Sequence, residues 1–154
     1  MKRILAAAAV TAALAAPAAL AADEPAAFGA AKSGSLSVTS GVLLGPKSTD
    51  LRGVWLDETR PCAETRTLRV TVEVFFSAAS GATKRARLTK SGRVGNCAEG
   101  GPNFGFAFRP ARYGMACRSG AWKPGSYSFA TTTKDLRSGL TAIASLTWRK
   151  TGAC

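Results

Sequence analysis

The carboxylates are the side chains here that could serve as catalytic acids or bases, because the chain contains no histidine. Histidine is the commonest general base and the usual activator of a serine or cysteine nucleophile. A pair of carboxylates, as in glycoside hydrolysis, is the chemistry that survives. The candidates are Asp57, Glu58, Glu64, Glu73, Glu99 and Asp135. Their spacing singles out no pair, so the sequence predicts no catalytic residue and no enzymatic activity.

Four cysteines, Cys62, Cys97, Cys117 and Cys154, are the candidates for covalent cross-links. They include no C-x-x-C pair, and the missing histidine removes the other usual zinc ligand, so we expect no metal site and no cofactor. An even number of cysteines indicates two disulfides if the chain is exported to an oxidising compartment. Four cysteines allow three pairings, and strand register is needed to choose between them.

A basic run, residues 84–93 (KRARLTKSGR), is the main candidate for binding anions. If Ala86 and Leu88 point inward on a strand, Arg85 and Arg87 point outward, next to Arg69 of the neighbouring strand and with Glu73 as a partial partner. The candidate polyanion-binding residues are Arg69, Arg85, Arg87, Lys90 and Arg93. The alternative is an edge strand whose positive charge only prevents aggregation.

The three tryptophans are candidates for contact with a ring-shaped ligand such as a sugar. Trp55 is expected in the core. Trp122 precedes Pro124 in a turn and is expected to be partly open. Trp148 is in phase with Leu146 and is expected in the core, with a groove beside the small residues next to it. Trp122 and Trp148 are therefore the ligand-loop candidates.

The loop at residues 96–106 (NCAEGGPNFGF) combines a cysteine, a glycine-proline turn and aromatic residues. It lacks the lysine-serine or lysine-threonine ending of a phosphate-binding loop, and Glu99 would repel phosphate. We predict a disulfide-pinned turn that leads into a strand, residues 103–109, with Phe104, Phe106 and Phe108 on one face. Ligand binding by this loop is the alternative, because loops often carry function.

The first 21 residues have the pattern of a secretory signal peptide. Met1-Lys2-Arg3 precedes an alanine-rich apolar run that ends at Ala19-Leu20-Ala21, and Pro17 and the weakly apolar alanines argue against a retained membrane span. We predict cleavage after Ala21, a flexible tether at residues 22–33 and one domain at residues 34–154. The predicted location is extracellular or periplasmic.

The predicted cleavage changes the net charge of the chain. Losing Lys2 and Arg3 reduces the 21 basic residues to 19 against 9 acidic ones, and the net charge from +12 to +10. This strong positive charge favours binding to anionic cell-envelope polymers or to another extracellular protein. Nucleic acid is not expected as a partner. The alternative is that the basic composition has no specific role.

Strong alternation of apolar and polar residues at positions 67–76 (TLRVTVEVFF) predicts a strand. Its predicted partner is the segment 83–90, across a turn at residues 77–82. The buried face is Leu68, Val70, Val72, Val74 and Phe76. Further strands are predicted at residues 35–44, 51–57, 126–132 and 140–148. No segment after the leader has a helical period.

Register suggests the disulfide pairing. In an antiparallel hairpin the residue numbers of every facing pair have the same sum. If Phe76 lies opposite Thr83 this sum is 159, and the numbers of Cys62 and Cys97 also add up to 159, so these two cysteines would face each other. However, the inward residues of the two strands share one face of the sheet only if the sum is even, 158 or 160. A one-residue bulge near Gly92 or Gly95 is needed to reconcile this register with the cysteine pair.

The last hairpin gives a similar result. If Phe129 lies opposite Ala142, the sum of facing residue numbers is 271, and the numbers of Cys117 and Cys154 have the same sum. We therefore predict the disulfides Cys62–Cys97 and Cys117–Cys154, each at the open end of a hairpin.

These elements predict an all-β fold, a single antiparallel β-sandwich. Residues 122–129 (WKPGSYSF) resemble the proline-glycine turn before a tyrosine-bearing strand in immunoglobulin-like and fibronectin-like secreted modules. The chain as a whole resembles uncharacterised secreted β-proteins of high-GC bacteria, a resemblance that implies an immunoglobulin-like sandwich and no particular site. Two hypotheses follow: a binding module with a cationic sheet face, or an extracellular inhibitor or small-ligand carrier with disulfide-pinned loops.

Overall fold

The computed structural model describes residues 25–59, 64–95 and 103–154 as two antiparallel four-stranded sheets. The strands are β1 Ala26–Ser33, β2 Leu36–Leu44, β3 Thr49–Asp57, β4 Thr65–Ser77, β5 Thr83–Gly95, β6 Asn103–Phe108, β7 Gly125–Asp135 and β8 Thr141–Lys150, with a 3₁₀ helix at Pro110–Tyr113. The first sheet has the order β1-β2-β3-β6 and the second β5-β4-β7-β8. The predicted all-β antiparallel fold is confirmed.

Apolar side chains from both sheets pack into shared core clusters. In β4 the alternation works as predicted, because Leu68, Val70, Val72, Val74 and Phe76 are all buried. A buried polar link also joins the sheets: the Ser40 hydroxyl donates to the Thr131 carbonyl at 3.0 Å and accepts from the Thr133 hydroxyl at 3.1 Å. None of the helical residues in the described ranges forms a segment that is long and apolar enough to span a bilayer.

The β4–β5 hairpin has a single register, with Val72 opposite Leu88. This is one of the two registers that side-chain phase requires. No bulge occurs at Gly92, because pairing continues without interruption to Thr65 opposite Gly95, where the described part of the strand ends. A bulge beyond Gly95 falls outside the described residues and stays a prediction. Gly92 has a different role: a Cβ atom there would overlap the ring of Phe104, so the glycine lets β6 pack against β5.

The β7–β8 hairpin places Phe129 opposite Leu146, four residues from the predicted partner Ala142. An even shift keeps every side chain on its predicted face. The predicted disulfide Cys117–Cys154 is confirmed, although the register used to infer it was wrong. Cys117 precedes β7 in a tight turn, beside an antiparallel bridge between Ala116 and Trp122.

The predicted tether at residues 22–33 is wrong from Ala26 onward, because Ala26–Ser33 is strand β1, paired with β2 along its whole length. The folded part therefore begins earlier than the predicted boundary at Gly34. Small side chains suggested a linker, but here they permit a close approach to β8. A Cβ atom at Gly29 would overlap the carbonyl oxygen of Ile143.

Replacing Gly29 with alanine is expected to lower the free energy of unfolding by about 1–3 kcal/mol, because β1 must move away from β8. The measurement is the urea midpoint of unfolding. Ala30→Val is the matched control, since Ala30 is exposed on the opposite face of the same strand. Equal midpoints for Gly29→Ala and the wild type would show that β1 does not need this contact.

Candidate functional site

The outward face of the second sheet carries six cationic side chains, which we call the cationic face: Arg69, Arg85, Arg87, Arg93, Lys134 and Arg149. They share a face because paired residues and alternate residues of a strand point to the same side of a sheet. Glu73 is the one carboxylate among the outward-facing residues of these four strands. The face therefore carries a large excess of positive charge.

Four of the five predicted polyanion-binding residues lie on the cationic face. Lys90 does not: it points to the other side of β5, where its ammonium nitrogen lies 5.2 Å from the centre of the Phe106 ring. Two members of the cationic face, Lys134 and Arg149, were not predicted. Lys134 lies opposite Arg69, and Arg149 lies opposite Ser126. Alternation along residues 125–150 was the signal that would have found them.

Glu73 neutralises the cationic face only in part. Its two carboxylate oxygens each lie 3.4 Å from a nitrogen of Arg85 or Arg87. The arginine side chains are 71% and 69% exposed, so these pairs are weakened by water and salt. The other four cations of the face form no ion pair within the described ranges.

Short hydroxyl side chains fill most of the space between the cations. Thr71 and Thr89 lie side by side with their hydroxyl oxygens 2.9 Å apart, and the Arg93 guanidinium donates to the Thr65 hydroxyl at 3.2 Å. A shallow depression of about 390 Å³ crosses β4, β7 and β8 near Phe75, which is 47% exposed. Hydroxyl and guanidinium donors on an open face suit carboxylate, sulfate or phosphate groups.

Cation spacing along β5 suits an extended ligand. Arg85 and Arg87 are two residues apart, which is about 7 Å along an antiparallel strand. Arg93 is six residues beyond Arg87, at about 20 Å by the same rise. A linear polymer lying along β5 would therefore meet positive charge at both ends of the strand.

Two of the candidate catalytic carboxylates, Glu64 and Asp135, bind the same arginine. The Arg66 guanidinium lies 3.2 Å from Glu64 and 2.7 Å from Asp135, and 5.0 Å from the centre of the Trp55 ring. Both the arginine and the two acids are largely buried. Arg66 was not predicted, because its position on a strand gives no sign of a buried partner.

The electrostatics of this cluster argue against a general acid. Burial alone would raise the pKa of Asp135, but hydrogen bonds from Ser138, from Arg66 and from the backbone of Arg137 together hold that pKa below its ordinary value of 3.8. A glycosidase acid needs a raised pKa. The cluster is thus built to keep a charged carboxylate, which stabilises the β7–β8 loop.

Trp122 is only 1% exposed, so the prediction that it is partly open is wrong. It lies at the centre of the aromatic core, with its ring 5.0 Å from Tyr127 and 5.7 Å from Phe129. Its indole nitrogen donates to the Gly45 carbonyl at 2.8 Å, which fixes the β2–β3 turn. Trp55 is buried as predicted and donates to the Val94 carbonyl at 3.0 Å.

Trp148 is half-buried and lines a cleft of about 390 Å³, which we call the Trp148 cleft. This cleft lies on the side of the β2–β3 turn and is not the predicted groove, because Ala142 and Ala144, the small residues expected to leave that groove, are buried and do not line it. Its main lining residues are Pro25, Leu44, Pro46, Trp122, Trp148 and Lys150. The Cys117–Cys154 disulfide ties the residues after Lys150 to the turn before Trp122.

Cys62 and Cys97 lie outside the described residues, and so do Asn96–Pro102 of the predicted disulfide-pinned turn. That disulfide and that turn stay predictions. The strand that follows is confirmed, with Phe104, Phe106 and Phe108 on the inward side of β6.

No family model matches the chain, and comparisons with curated proteins and with solved structures also find no match. The residues and their geometry therefore carry the functional argument.

Proposed function

We propose that this protein is an exported binding module whose cationic face contacts an anionic polymer of the cell envelope, such as an acidic polysaccharide or a phosphate-bearing glycan. The observation that carries the proposal is the composition of this face, with six cations against one carboxylate. A field of one sign over a flat surface attracts polyanions at long range. Another extracellular protein with an acidic surface is the alternative partner.

We also infer that the two sheets form an immunoglobulin-like sandwich. Two features support this arrangement. The order β2-β3-β6 in one sheet and β5-β4-β7-β8 in the other is that of the A-B-E and C′-C-F-G strands of such modules, with β1 added at an edge. Tyr127, near the start of β7, donates its hydroxyl to the Lys123 carbonyl four residues upstream at 2.7 Å, as in a tyrosine corner.

We also propose that the protein is not an enzyme and acts outside the cytoplasm after cleavage behind Ala21. The absence of histidine and the Arg66-bound carboxylates support the first part. The leader pattern and the Cys117–Cys154 disulfide support the second, because disulfides persist in oxidising compartments. The function needs no cofactor, since charge and hydrogen bonding carry it.

The test is charge reversal in the middle of the cationic face. Arg85→Glu combined with Arg87→Glu is expected to weaken binding to heparin and to purified cell-envelope polymers by about tenfold or more at physiological salt. Because two contacts with the polyanion are lost, the slope of log K against log salt is expected to fall by about 2. Isothermal titration at two or more salt concentrations measures both quantities.

Arg109→Glu combined with Arg112→Glu is the matched control, because both residues are exposed and lie outside the cationic face. This variant has the same net charge as the test variant and is expected to keep most of the affinity. An equal loss in both variants would mean that only net charge matters. Binding that survives high salt in the wild type would reject the polyanion proposal altogether.

A second candidate function, carriage of a small ligand, has the Trp148 cleft in its favour. It predicts a stable complex with a small molecule that is unaffected by the Arg85→Glu and Arg87→Glu changes.

A further inference from the structure

We propose that the Trp148 cleft binds a small aromatic carboxylate, with the ring against Trp148 and the carboxylate on Lys150. The cleft lies at the end of β8, whereas the middle of the cationic face lies on β4 and β5. Its volume of about 390 Å³ is within the range of small-molecule pockets, roughly 300–1,000 Å³.

The ring wall of the cleft is rigid. Trp148 lies 5.9 Å from Trp122 at 78° between ring planes, and 5.4 Å from Tyr127 at 33°. Both neighbouring rings are fully enclosed by the core, and hydrogen bonds to backbone carbonyls hold each of them in place. Trp148 is therefore presented to a ligand in a fixed orientation, which reduces the entropy lost on binding.

Other lining residues of the cleft are apolar. Pro25, Leu44 and Pro46 line it together with the Trp148 indole. A flat apolar ring packed against these residues and Trp148 would bury apolar surface.

Polar groups in the cleft are few. Lys150 forms no ion pair in the described part of the chain, and the Trp148 indole N–H has no hydrogen-bond partner there. The backbone nearby is already engaged: the Gly45 carbonyl accepts from Trp122, and the Gly45 amide donates to the Ser48 carbonyl.

This balance selects the ligand class. A sugar would bring several hydroxyl groups that find no partners, and a buried unpaired hydroxyl weakens binding. An aromatic carboxylate brings a single polar group, which one ammonium and one indole N–H can satisfy by charge-assisted hydrogen bonding.

The experiment titrates the exported protein, labelled with ¹⁵N, with 2-naphthoate. The indole N–H resonance of Trp148, assigned by its absence in Trp148→Phe, is expected to shift, with a Kd on the order of 1 mM or tighter. Glucuronate and the neutral analogue 2-naphthylmethanol are titrated in parallel. Glucuronate is expected to cause no shift, and the neutral analogue is expected to bind about tenfold more weakly than 2-naphthoate.

Lys150→Gln is expected to weaken 2-naphthoate about tenfold and to leave 2-naphthylmethanol unchanged. Lys32→Gln, which removes the same charge from an exposed residue of β1 outside both the cleft and the cationic face, is the matched control and is expected to bind 2-naphthoate as the wild type does. The proposal is overturned if 2-naphthoate leaves the Trp148 resonance unshifted at several millimolar. It is also overturned if glucuronate shifts the Trp148 resonance with the same affinity, or if Lys32→Gln has the same effect as Lys150→Gln.

Discussion

Replacing Asp135 with alanine is expected to lower the free energy of unfolding by about 3–5 kcal/mol, because it leaves the buried Arg66 without its nearest carboxylate. Asp135 is fully buried. Its carboxylate accepts from Arg66 at 2.7 Å and from the Ser138 hydroxyl at 2.6 Å, and the backbone amides of Arg137 and Ser138 each donate to it at 3.2 Å. The substitution therefore removes an ion pair and the hydrogen bonds that close the β7–β8 loop.

The pH dependence of this loss has a definite sign. The folded pKa of Asp135 is lowered from its ordinary value of 3.8, so its contribution to stability is complete above that ordinary value, which holds in the unfolded chain. It disappears as the pH falls through the folded pKa. The difference between wild type and Asp135→Ala in urea unfolding is thus expected to be largest near neutral pH and to shrink below about pH 4.

Asp50→Ala is the control, since Asp50 is an exposed carboxylate at the start of β3. This variant is expected to unfold within about 0.5 kcal/mol of the wild type. A similarly small change for Asp135→Ala would contradict the view that the Arg66 cluster stabilises the fold.

The location of the Arg66 cluster also bears on the cationic face. Among the described side chains, the carboxylates are Asp50, Asp57, Glu58, Glu64, Glu73 and Asp135. Four of these lie around the end of β3, the start of β4 and the end of β7, where they bind Lys32, Arg66 or Arg137, or the Thr59 hydroxyl. Concentrating acidic residues at one end of the sheets leaves the cationic face with Glu73 alone.

Alternation made much of the second sheet predictable. The apolar residues of β4 specify one buried face, and this phase limits the β5 register to values that keep Ala86 and Leu88 inward. The same rule identified Arg69, Arg85 and Arg87 as outward neighbours. Such predictions succeed because side chains of a half-buried strand alternate between its two faces. Shifting the register by an odd number of residues would turn the apolar side chains to the solvent.

The features that were predicted wrongly depend on contacts between distant segments of the chain. β1 is made mostly of small residues, and its pairing with β2 and its close approach to Ile143 explain why they form a strand. Trp122 looked like a turn residue, but the turn folds inward and its indole donates to Gly45, 77 residues away. A sequence pattern reports local periodicity, and neither of these contacts leaves a local signal.

Removing the Cys117–Cys154 disulfide is expected to lower the free energy of unfolding by up to about 4 kcal/mol in the chain-entropy model. The two cysteines are 37 residues apart, and the closed loop includes the whole β7–β8 hairpin. The cross-link restricts the unfolded chain and holds the C-terminal residues beside the turn that leads to Trp122. Cys117→Ser combined with Cys154→Ser, compared with the wild type by urea unfolding under oxidising conditions, gives the size of the effect.

Cys117→Ser combined with deletion of residues 151–154 separates the cross-link from other contacts of the tail. These four residues are exposed, so the sulfur bridge is their main tie to the fold. Both variants are therefore expected to lose the same stability. Heparin affinity is expected to stay unchanged in both, because neither cysteine belongs to the cationic face. A wild-type midpoint in the double serine variant would show that the packed aromatic core alone holds this end of the protein.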